Sequence, residues 1–150
     1  MKNRRGFTLV ELMVTCTIAG ILVNLALPAV AVVKRKADAA HVIADISTIR
    51  IAALNHYAEL QYFPATQPWA TSPGTMRSML PQGFVWRYKS VDYRWQRWSL
   101  PNGMPTSPGQ TVLIGVEVRT PDQNLMSAIR STYRGAVAFG TATQLTFVIE

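Results

Sequence analysis

The feature that most constrains this chain is a long uncharged stretch that contains one acid near its start. Residues 7–33 carry no charged side chain except Glu11. A helix needs about 20 apolar residues to cross a bilayer, so this stretch is long enough to span one. A carboxylate in hydrocarbon costs roughly 2.5–3.5 kcal/mol on insertion scales. A plain anchor gains nothing from such a residue, and we therefore expect Glu11 to have a partner.

A short basic segment precedes the apolar stretch and ends in glycine. Lys2, Arg4 and Arg5 lie in this segment. Positive residues flank the cytoplasmic end of membrane helices, so these three are expected to hold the N-terminus in the cytoplasm. The remainder of the chain is then expected on the opposite side of the membrane.

Residues 6–14, Gly-Phe-Thr-Leu-Val-Glu-Leu-Met-Val, resemble the N-terminal signature of type IV pilins and of the pseudopilins of type II secretion. The resemblance implies that a prepilin peptidase cuts between Gly6 and Phe7 and then N-methylates Phe7. It also implies that Glu11 meets the terminal amine of a neighbouring subunit. The physics agrees, because an ammonium and a carboxylate attract strongly in low dielectric and each is costly there alone.

The resemblance covers about the first 65 residues and is greatest to the major pseudopilins. It implies a homo-oligomeric filament with other pilin-like subunits, located in the periplasm or on the surface. It further implies a single-pass subunit of the bacterial inner membrane with a periplasmic head, and an assembly platform protein as a partner. Pro28, where the family commonly has a proline, lacks a backbone donor and crowds the preceding turn, so we expect a helix kink or local melting there.

The N-terminus fits two other kinds of targeting signal less well. Ala29-Val30-Ala31 fits a signal-peptidase site, and Arg4-Arg5 fits a twin-arginine signal. Both would place an acid inside the core of a removable signal, where it is unfavourable. Both would also remove a segment that continues directly into a helical pattern. We therefore favour prepilin processing.

Composition limits what the rest of the chain can be. At 150 residues it has room for one domain, and loss of the three basic leader residues lowers the formal net charge from +7 to +4. Cys16 is the single cysteine, so no disulfide can form within the chain. We expect Cys16 to be a small apolar filler, with lipidation or an intersubunit bridge as alternatives. His41 and His56 are expected to be surface or packing residues, not metal ligands.

An apolar stripe extends the helix beyond the membrane stretch. Its members recur mostly at three- and four-residue spacing: Ala39, Val42, Ile46, Ile49, Ala53 and Leu60. Asp38 and Asp45 fall off this stripe. We expect a helix from Phe7 to about Leu60, because Pro64 cannot continue it. The expected divisions are residues 1–6 as a cleaved leader, 7–33 as the transmembrane or filament-core helix, 34–62 as its amphipathic half and 63–150 as a β-rich head.

The head alternates apolar and polar residues with the period of two that is typical of strands. We predict a hairpin over residues 84–98 with its turn at 90–92, a loop at 100–109, and strands over 111–119, 136–139 and 144–149. Between these strands we predict a helix with Thr120 as its N-cap, Gln123 closing a capping box and Gly135 as its C-cap. The predicted fold class is α+β and pilin-like, with a long N-terminal helix packed on a small antiparallel sheet.

Cations and aromatic rings interleave on the predicted hairpin. The candidate basic aromatic surface consists of Arg87, Lys89, Arg94, Arg97 and Trp95. Cations with stacking rings are what DNA contacts use, so a minor or binding pilin for adhesion or DNA capture is the alternative function. The favoured interpretation is a sheet with a buried aromatic face and a solvated basic face. Contact with acids of the next subunit comes second, and nucleic acid is the least favoured partner.

The sequence contains no recognisable catalytic constellation, so we expect no enzymatic activity and no cofactor. The resemblance to major pseudopilins implies a calcium ion in a C-terminal loop, and calcium needs several oxygen ligands. After Leu100 the chain offers only the scattered acids Glu117, Asp122 and Glu150. We therefore predict no metal site.

Overall fold

The computed structural model describes residues 7–99, 112–133 and 138–149. The chain divides into two compact units, Met1–Arg35 and Lys36–Glu150. One helix, α1 (Leu9–Leu60), contributes residues to both units. The predicted leader at residues 1–6, the predicted loop at 100–109 and the predicted helix end at Gly135 lie outside the described residues.

In the first unit the described residues belong almost entirely to the N-terminal part of α1, and their apolar side chains are exposed. By length and composition this part of the helix could cross a membrane. Its polar side chains bond within the helix: those of Thr15, Thr17 and Asn24 each donate to the carbonyl oxygen four residues earlier, at 2.8–3.0 Å. Hydrocarbon offers no other hydrogen-bonding partner, so these bonds lower the cost of polar groups in a membrane span.

In the second unit α1 buries one face. The buried side chains follow the predicted stripe, with two additions: Ala39, Val42, Ile46, Ile49, Ala52, Ala53 and His56. Leu60, the last member of the predicted stripe, is not part of this buried face and is 45% exposed. The helix ends at this residue, because Gln61 takes a left-handed backbone conformation with φ of 61°.

Five antiparallel strands form one sheet in the order β1-β2-β3-β5-β4. Their bounds are β1 Arg87–Tyr88, β2 Val91–Ser99, β3 Val112–Arg119, β4 Ala138–Gly140 and β5 Gln144–Ile149. A short 3₁₀ turn, Gly74–Met79, precedes β1, and helix α2 (Gln123–Thr132) joins β3 to the β4–β5 pair. The predicted α+β fold, a long helix packed on a small antiparallel sheet, is confirmed.

The core of the second unit contains the buried face of α1 and the inner face of the sheet. Alternate side chains of three strands point into it, as the period of two predicts: Val91, Tyr93, Trp95, Ile114, Val116, Val118, Leu145, Phe147 and Ile149. The indole N–H of Trp95 donates to the carbonyl oxygen of Pro64 at 2.8 Å. This bond ties the segment after α1 to the centre of the sheet.

The segment after α1 also covers one edge of β2. The backbone N–H groups of Gln67 and Ala70 donate to the carbonyl oxygens of Trp95 and Tyr93, at 3.1 and 2.9 Å. An uncovered strand edge is a template for pairing with other chains. The segment therefore covers part of the β2 edge that the two-residue strand β1 leaves unpaired.

The hairpin turn lies one residue earlier than predicted. Tyr88 pairs with Val91, so the turn consists of Lys89 and Ser90 and not of residues 90–92. Lys89 takes a left-handed conformation with φ of 51°. Val91 is instead the first buried residue of β2, because its side chain belongs to the core and fixes the register.

The N-cap of α2 is Asp122, and the prediction of Thr120 is wrong. The Asp122 carboxylate accepts from the backbone N–H groups of Asn124 and Leu125, at 2.9 and 3.1 Å. These are the bonds by which an N-cap satisfies the free donors of a helix start. Thr120 is buried, and its hydroxyl accepts from the Asp122 N–H at 3.3 Å.

Candidate functional site

Reciprocal hydrogen bonds between Thr8 and Glu11 close the start of α1. Oε2 of Glu11 accepts from the backbone N–H and from the hydroxyl of Thr8, both at 2.9 Å. Oγ1 of Thr8 accepts from the Glu11 N–H at 3.2 Å. This is a capping box, the T-x-x-E arrangement of helix starts. The spacing is visible at residues 8–11, but the sequence-based prediction gave Glu11 only an intersubunit role and missed Thr8.

Glu11 keeps its negative charge uncompensated in this arrangement. Within the described ranges, no cationic side chain forms an ion pair with it. The surrounding apolar side chains are exposed, with Phe7 at 79% and Val10 at 67%. Bonds from Thr8 stabilise the carboxylate but do not neutralise it, and a lone charge is costly in hydrocarbon. The geometry suits a carboxylate that binds a cation while it keeps its hydrogen bonds from Thr8. Gly6, on the other side of the predicted cut, lies outside the described residues.

Pro28 lies inside α1, and the helix is continuous on both sides of it. Proline has no N–H, so the carbonyl oxygen of Asn24 lacks its usual helix donor. The kink expected at this position stays a prediction.

Asp92 on β2 binds two arginines at once. Nε of Arg87 and Nη2 of Arg119 lie 2.6 and 3.0 Å from its two carboxylate oxygens. Burial alone would raise the pKa of Asp92, but hydrogen bonds from Arg87 and Arg119 outweigh this effect and hold its pKa below the usual value of 3.8. The ionised carboxylate therefore joins β1, β2 and β3.

Arg94 lies on the same face of β2 and pairs with Glu117 of β3. Its Nε lies 2.6 Å from Oε2 of Glu117, which is only 6% exposed. The guanidinium groups of Arg94 and Arg119 each lie 4.4 Å from the ring centre of Trp69, within the range of a cation–π contact. Trp69 was not among the predicted site residues, because a single tryptophan in a polar loop carries no pattern that reveals its partners.

Lys89 connects the hairpin turn to α1. Its Nζ lies 2.6 Å from Oδ1 of Asp38, and the hydroxyl of Tyr88 donates to the same oxygen at 3.0 Å. The hydrogen bond to Asp38, and then the bond involving Tyr88, raise the pKa of Lys89. This cation of the predicted basic surface is therefore engaged within its own chain.

The remaining two members of the predicted basic aromatic surface differ from each other. The prediction that Trp95 lies on a surface is wrong, because it has no exposed area. Successive strand residues point to opposite faces, so Trp95 faces the core while Arg94 faces outward. Arg97 is exposed, and its guanidinium donates to the carbonyl oxygen of Phe63 at 3.4 Å.

A second acid of α1 also reaches the sheet. The hydroxyl of Tyr93 donates to Oδ2 of Asp45 at 2.7 Å. Burial, and then this hydrogen bond, raise the pKa of Tyr93, which keeps the hydroxyl proton available for donation. Asp38 and Asp45 were predicted only to lie off the apolar stripe. Their seven-residue spacing, about two helical turns, places both on one side of α1 and was the signal for a shared docking role.

The two histidines have separate packing roles. The ring of His41 stacks on Tyr88 with centres 4.0 Å apart, and its Nδ1 lies 3.2 Å from Oδ2 of Asp45. His56 is fully buried, and its Nδ1 lies 2.9 Å from the carbonyl oxygen of Tyr62. In the part of the chain that the structure describes, no group of three or more His, Cys, Asp and Glu side chains could hold a metal ion.

Comparison with known proteins agrees with the pattern at the N-terminus. Residues 1–23 match the family described as the prokaryotic N-terminal methylation motif. The chain is 33% identical over 81 residues to a type II secretion system core protein G from Klebsiella michiganensis. These aligned residues make up 54% of this chain and 57% of that protein. The chain is also 34% identical over 67 residues to a protein of the same name from Klebsiella pneumoniae. Here the aligned residues make up 45% of this chain and 48% of that protein.

The chain thus spans about half the length of the curated relatives it matches. No solved structure gives a significant match. The methylation motif and the relatives confirm the predicted resemblance to the type IV pilin and type II secretion pseudopilin family, and to a major pseudopilin in particular.

Proposed function

We propose that this chain is a structural subunit of a type II secretion pseudopilus, or of a related type IV pilus-like filament, and that it acts in protein export. One observation carries the proposal. An acid, Glu11, lies at the start of an exposed apolar helix and inside the matched methylation motif. The relatives named for type II secretion support the export role.

In this proposal a prepilin peptidase removes residues 1–6 and methylates the amine of Phe7. The Glu11 carboxylate of one subunit then pairs with the Phe7 ammonium of its neighbour. Oε2 is already bonded to Thr8, whereas Oε1 accepts no hydrogen bond from any described residue, so Oε1 is the oxygen available to the ammonium. The pair lies in low dielectric, where opposite charges attract strongly. Exposed apolar side chains of the first unit pack against neighbouring helices, and Pro28 allows the helix to bend.

Before assembly, we infer, the subunit stands in the bacterial inner membrane with its N-terminus cytoplasmic and its head periplasmic. Its partners are other pilin-like subunits, the prepilin peptidase and the assembly platform protein. An adhesive or DNA-capturing pilin would need the hairpin cations for its ligand. Arg87, Lys89 and Arg94 are paired with acids of their own chain, so the hairpin supports the structural role better.

The N-terminus of the protein extracted from membranes tests processing. We expect an intact mass and an N-terminal sequence that correspond to a chain starting at Phe7 with one added methyl group. A start near Val32, after Ala29-Val30-Ala31, would contradict prepilin processing. An uncut chain starting at Met1 would contradict it as well.

Replacing Glu11 by glutamine separates the charge from the cap. Glutamine still closes a capping box with Thr8, but it cannot neutralise an ammonium. We expect Glu11→Gln to be processed and membrane-inserted in normal amounts, with at least about tenfold less of it in filaments, a factor that corresponds to ~1.4 kcal/mol. The amount of the variant in sheared filaments, relative to its amount in membranes, measures this effect.

Thr8→Val is the matched control for that variant. It breaks the capping box but leaves the carboxylate of Glu11 in place. We expect it to assemble better than Glu11→Gln if its processing is normal. Filaments that contain as much Glu11→Gln as wild type would contradict the pairing.

A further inference from the structure

A cleft of about 740 Å³ lies beside β1 in the second unit. Arg77 and Arg87 line it, and Phe84 and Val85 form part of an apolar wall. Val85 is 65% exposed. No acidic side chain is among the residues that line the cleft. The cleft is therefore positively charged and partly apolar, a combination that suits a carboxylate next to apolar side chains.

The two cations of the cleft have capacity for an additional anion. Arg87 bonds to Asp92 through Nε, and its other N–H groups donate to no residue in the described ranges. Arg77 is exposed and forms neither a hydrogen bond nor an ion pair with any described residue. A carboxylate in the cleft would thus gain a guanidinium partner without breaking an existing pair.

Glu59, near the end of α1, has the complementary chemistry. It is exposed and has no hydrogen-bonding or ion-pairing partner among the described residues. Every other described acid has such a partner: Glu11, Asp38, Asp45, Asp92, Glu117 and Asp122. Leu60 and Tyr62 beside it are 45% and 48% exposed. The end of α1 therefore presents a carboxylate flanked by apolar side chains.

Glu59 cannot reach the cleft of its own chain. Gly83, Phe84 and Arg87 line this cleft and also line a smaller one together with His41 of α1. The large cleft therefore lies near the level of His41. Glu59 is roughly 18 residues further along the helix, or about 27 Å at 1.5 Å per residue. A side chain cannot cover that distance, so the two complementary surfaces can meet only between copies.

We propose that the α1 end of one copy, with the carboxylate of Glu59 and the side chains of Leu60 and Tyr62, docks into the Arg77–Arg87 cleft of a second copy. This inference rests on the filament proposed above. Because the two surfaces lie at different places on the subunit, the contact is heterologous, and a heterologous contact that does not close into a ring propagates as a helical filament. The heads in contact are then offset along the helix by about 27 Å.

Charge reversal in the full-length protein, expressed with its assembly machinery, tests this contact. We expect Glu59→Arg and Arg77→Glu each to lower the amount of sheared filament about three- to tenfold, because each brings like charges together. The double variant should return to within about twofold of wild type, since the pair is restored in reverse. Arg50→Glu, at an exposed cation of α1 outside the cleft, is the matched control and should change little. Melting curves of the four variants verify folding.

Cross-linking gives a second, independent readout. Cys16→Ser removes the single native cysteine, and Glu59→Cys with Arg77→Cys then provides one thiol on each surface. A bismaleimide of about the reach of a Glu–Arg pair should link copies into a ladder of multimers. Variants with only one of the two new cysteines should give no ladder.

The outcomes separate this inference from the proposed function. Filaments that form normally but give no ladder, or a double reversal that stays as defective as the single ones, would overturn the contact and leave the filament role intact. A wild-type chain that never enters filaments would overturn both. Rescue by the double reversal together with the ladder would establish the contact.

Discussion

Asp92 shows how one carboxylate organises the charged face of the sheet. It accepts from Arg87 and Arg119 through different oxygens. Its pKa is lowered in the folded protein. Its contribution to stability is therefore present above the usual pKa of 3.8 and is lost as the pH falls through the lower folded value.

We expect Asp92→Asn to lower the free energy of unfolding at pH 7 by about 1.5–3 kcal/mol, the range for hydrogen bonds to charged groups. The difference from wild type should shrink as the pH falls below about 4, because the unfolded wild-type chain then takes up a proton at Asp92 that the folded carboxylate, with its lower pKa, binds only at lower pH. Chemical denaturation of the full chain in detergent at pH 7 and pH 3 measures both values. Glu59→Gln removes the same charge at a residue without a partner in the described ranges, and should change stability by less than about 0.5 kcal/mol. A difference that stays constant with pH would rule out this role of Asp92.

At the scale of elements, the two parts of α1 meet different requirements. In the first unit the helix exposes apolar side chains and bonds its polar ones to its own backbone. In the second unit it buries small and branched residues such as Ala39 and Ile46, while Asp38 and Asp45 accept from tyrosines of the sheet. A single helix can meet both requirements because its first part is apolar on all sides, whereas its second part has an apolar stripe on one face and charged residues beside it.

The start of α2 supplies a test at the same scale. We expect Asp122→Ala to destabilise the protein by about 1 kcal/mol, the typical value for loss of an N-cap. Gln123→Ala is the control, because the side chain of Gln123 was predicted to close the cap but makes no hydrogen bond with a described residue. Its effect should stay below about 0.5 kcal/mol. Thermal unfolding in detergent measures both variants, and equal losses would show that Asp122 is not the cap.

For the whole molecule, the pairing of charges within the chain says more about binding of an anionic partner than the net charge does. The chain carries a formal +7, or +4 without the leader, which by itself would suggest an anionic partner. Yet the arginines of the outer sheet face are bound to Asp92 and Glu117 of the same chain. An external phosphate would therefore meet guanidinium groups whose charge is already partly neutralised by these acids.

We therefore expect the full-length protein in detergent to bind DNA weakly and without sequence preference. Binding to single-stranded or duplex DNA should fall steeply between about 50 and 200 mM salt, as non-specific phosphate contacts do. Fluorescence anisotropy titrations at both salt concentrations measure this. Affinity that persists at the higher concentration, and drops in Arg94→Gln and Arg97→Gln, would instead favour the DNA-capturing alternative.

The sequence by itself determined the features that depend on local pattern. Periodicity, charge and backbone chemistry predict three such features: the uncharged stretch with Glu11, the helix end before Pro64, and the strand with buried Val116 and Val118. Such signals act over one or two turns of helix or a few strand residues. The same local pattern also contained the Thr8–Glu11 box, which only the structure brought to notice.

Tertiary structure alone decided which charges neutralise each other. Lys89 meets Asp38 across fifty-one residues of sequence, and Arg94 meets Glu117 because β2 and β3 pair in that register. Neither pair can be identified from neighbouring residues in the chain, because the first depends on how α1 packs on the sheet and the second on the sheet register, which the side chains of the core determine. The burial of Trp95 and the pairing of its outward-facing neighbour Arg94 with Glu117 depend on the same register.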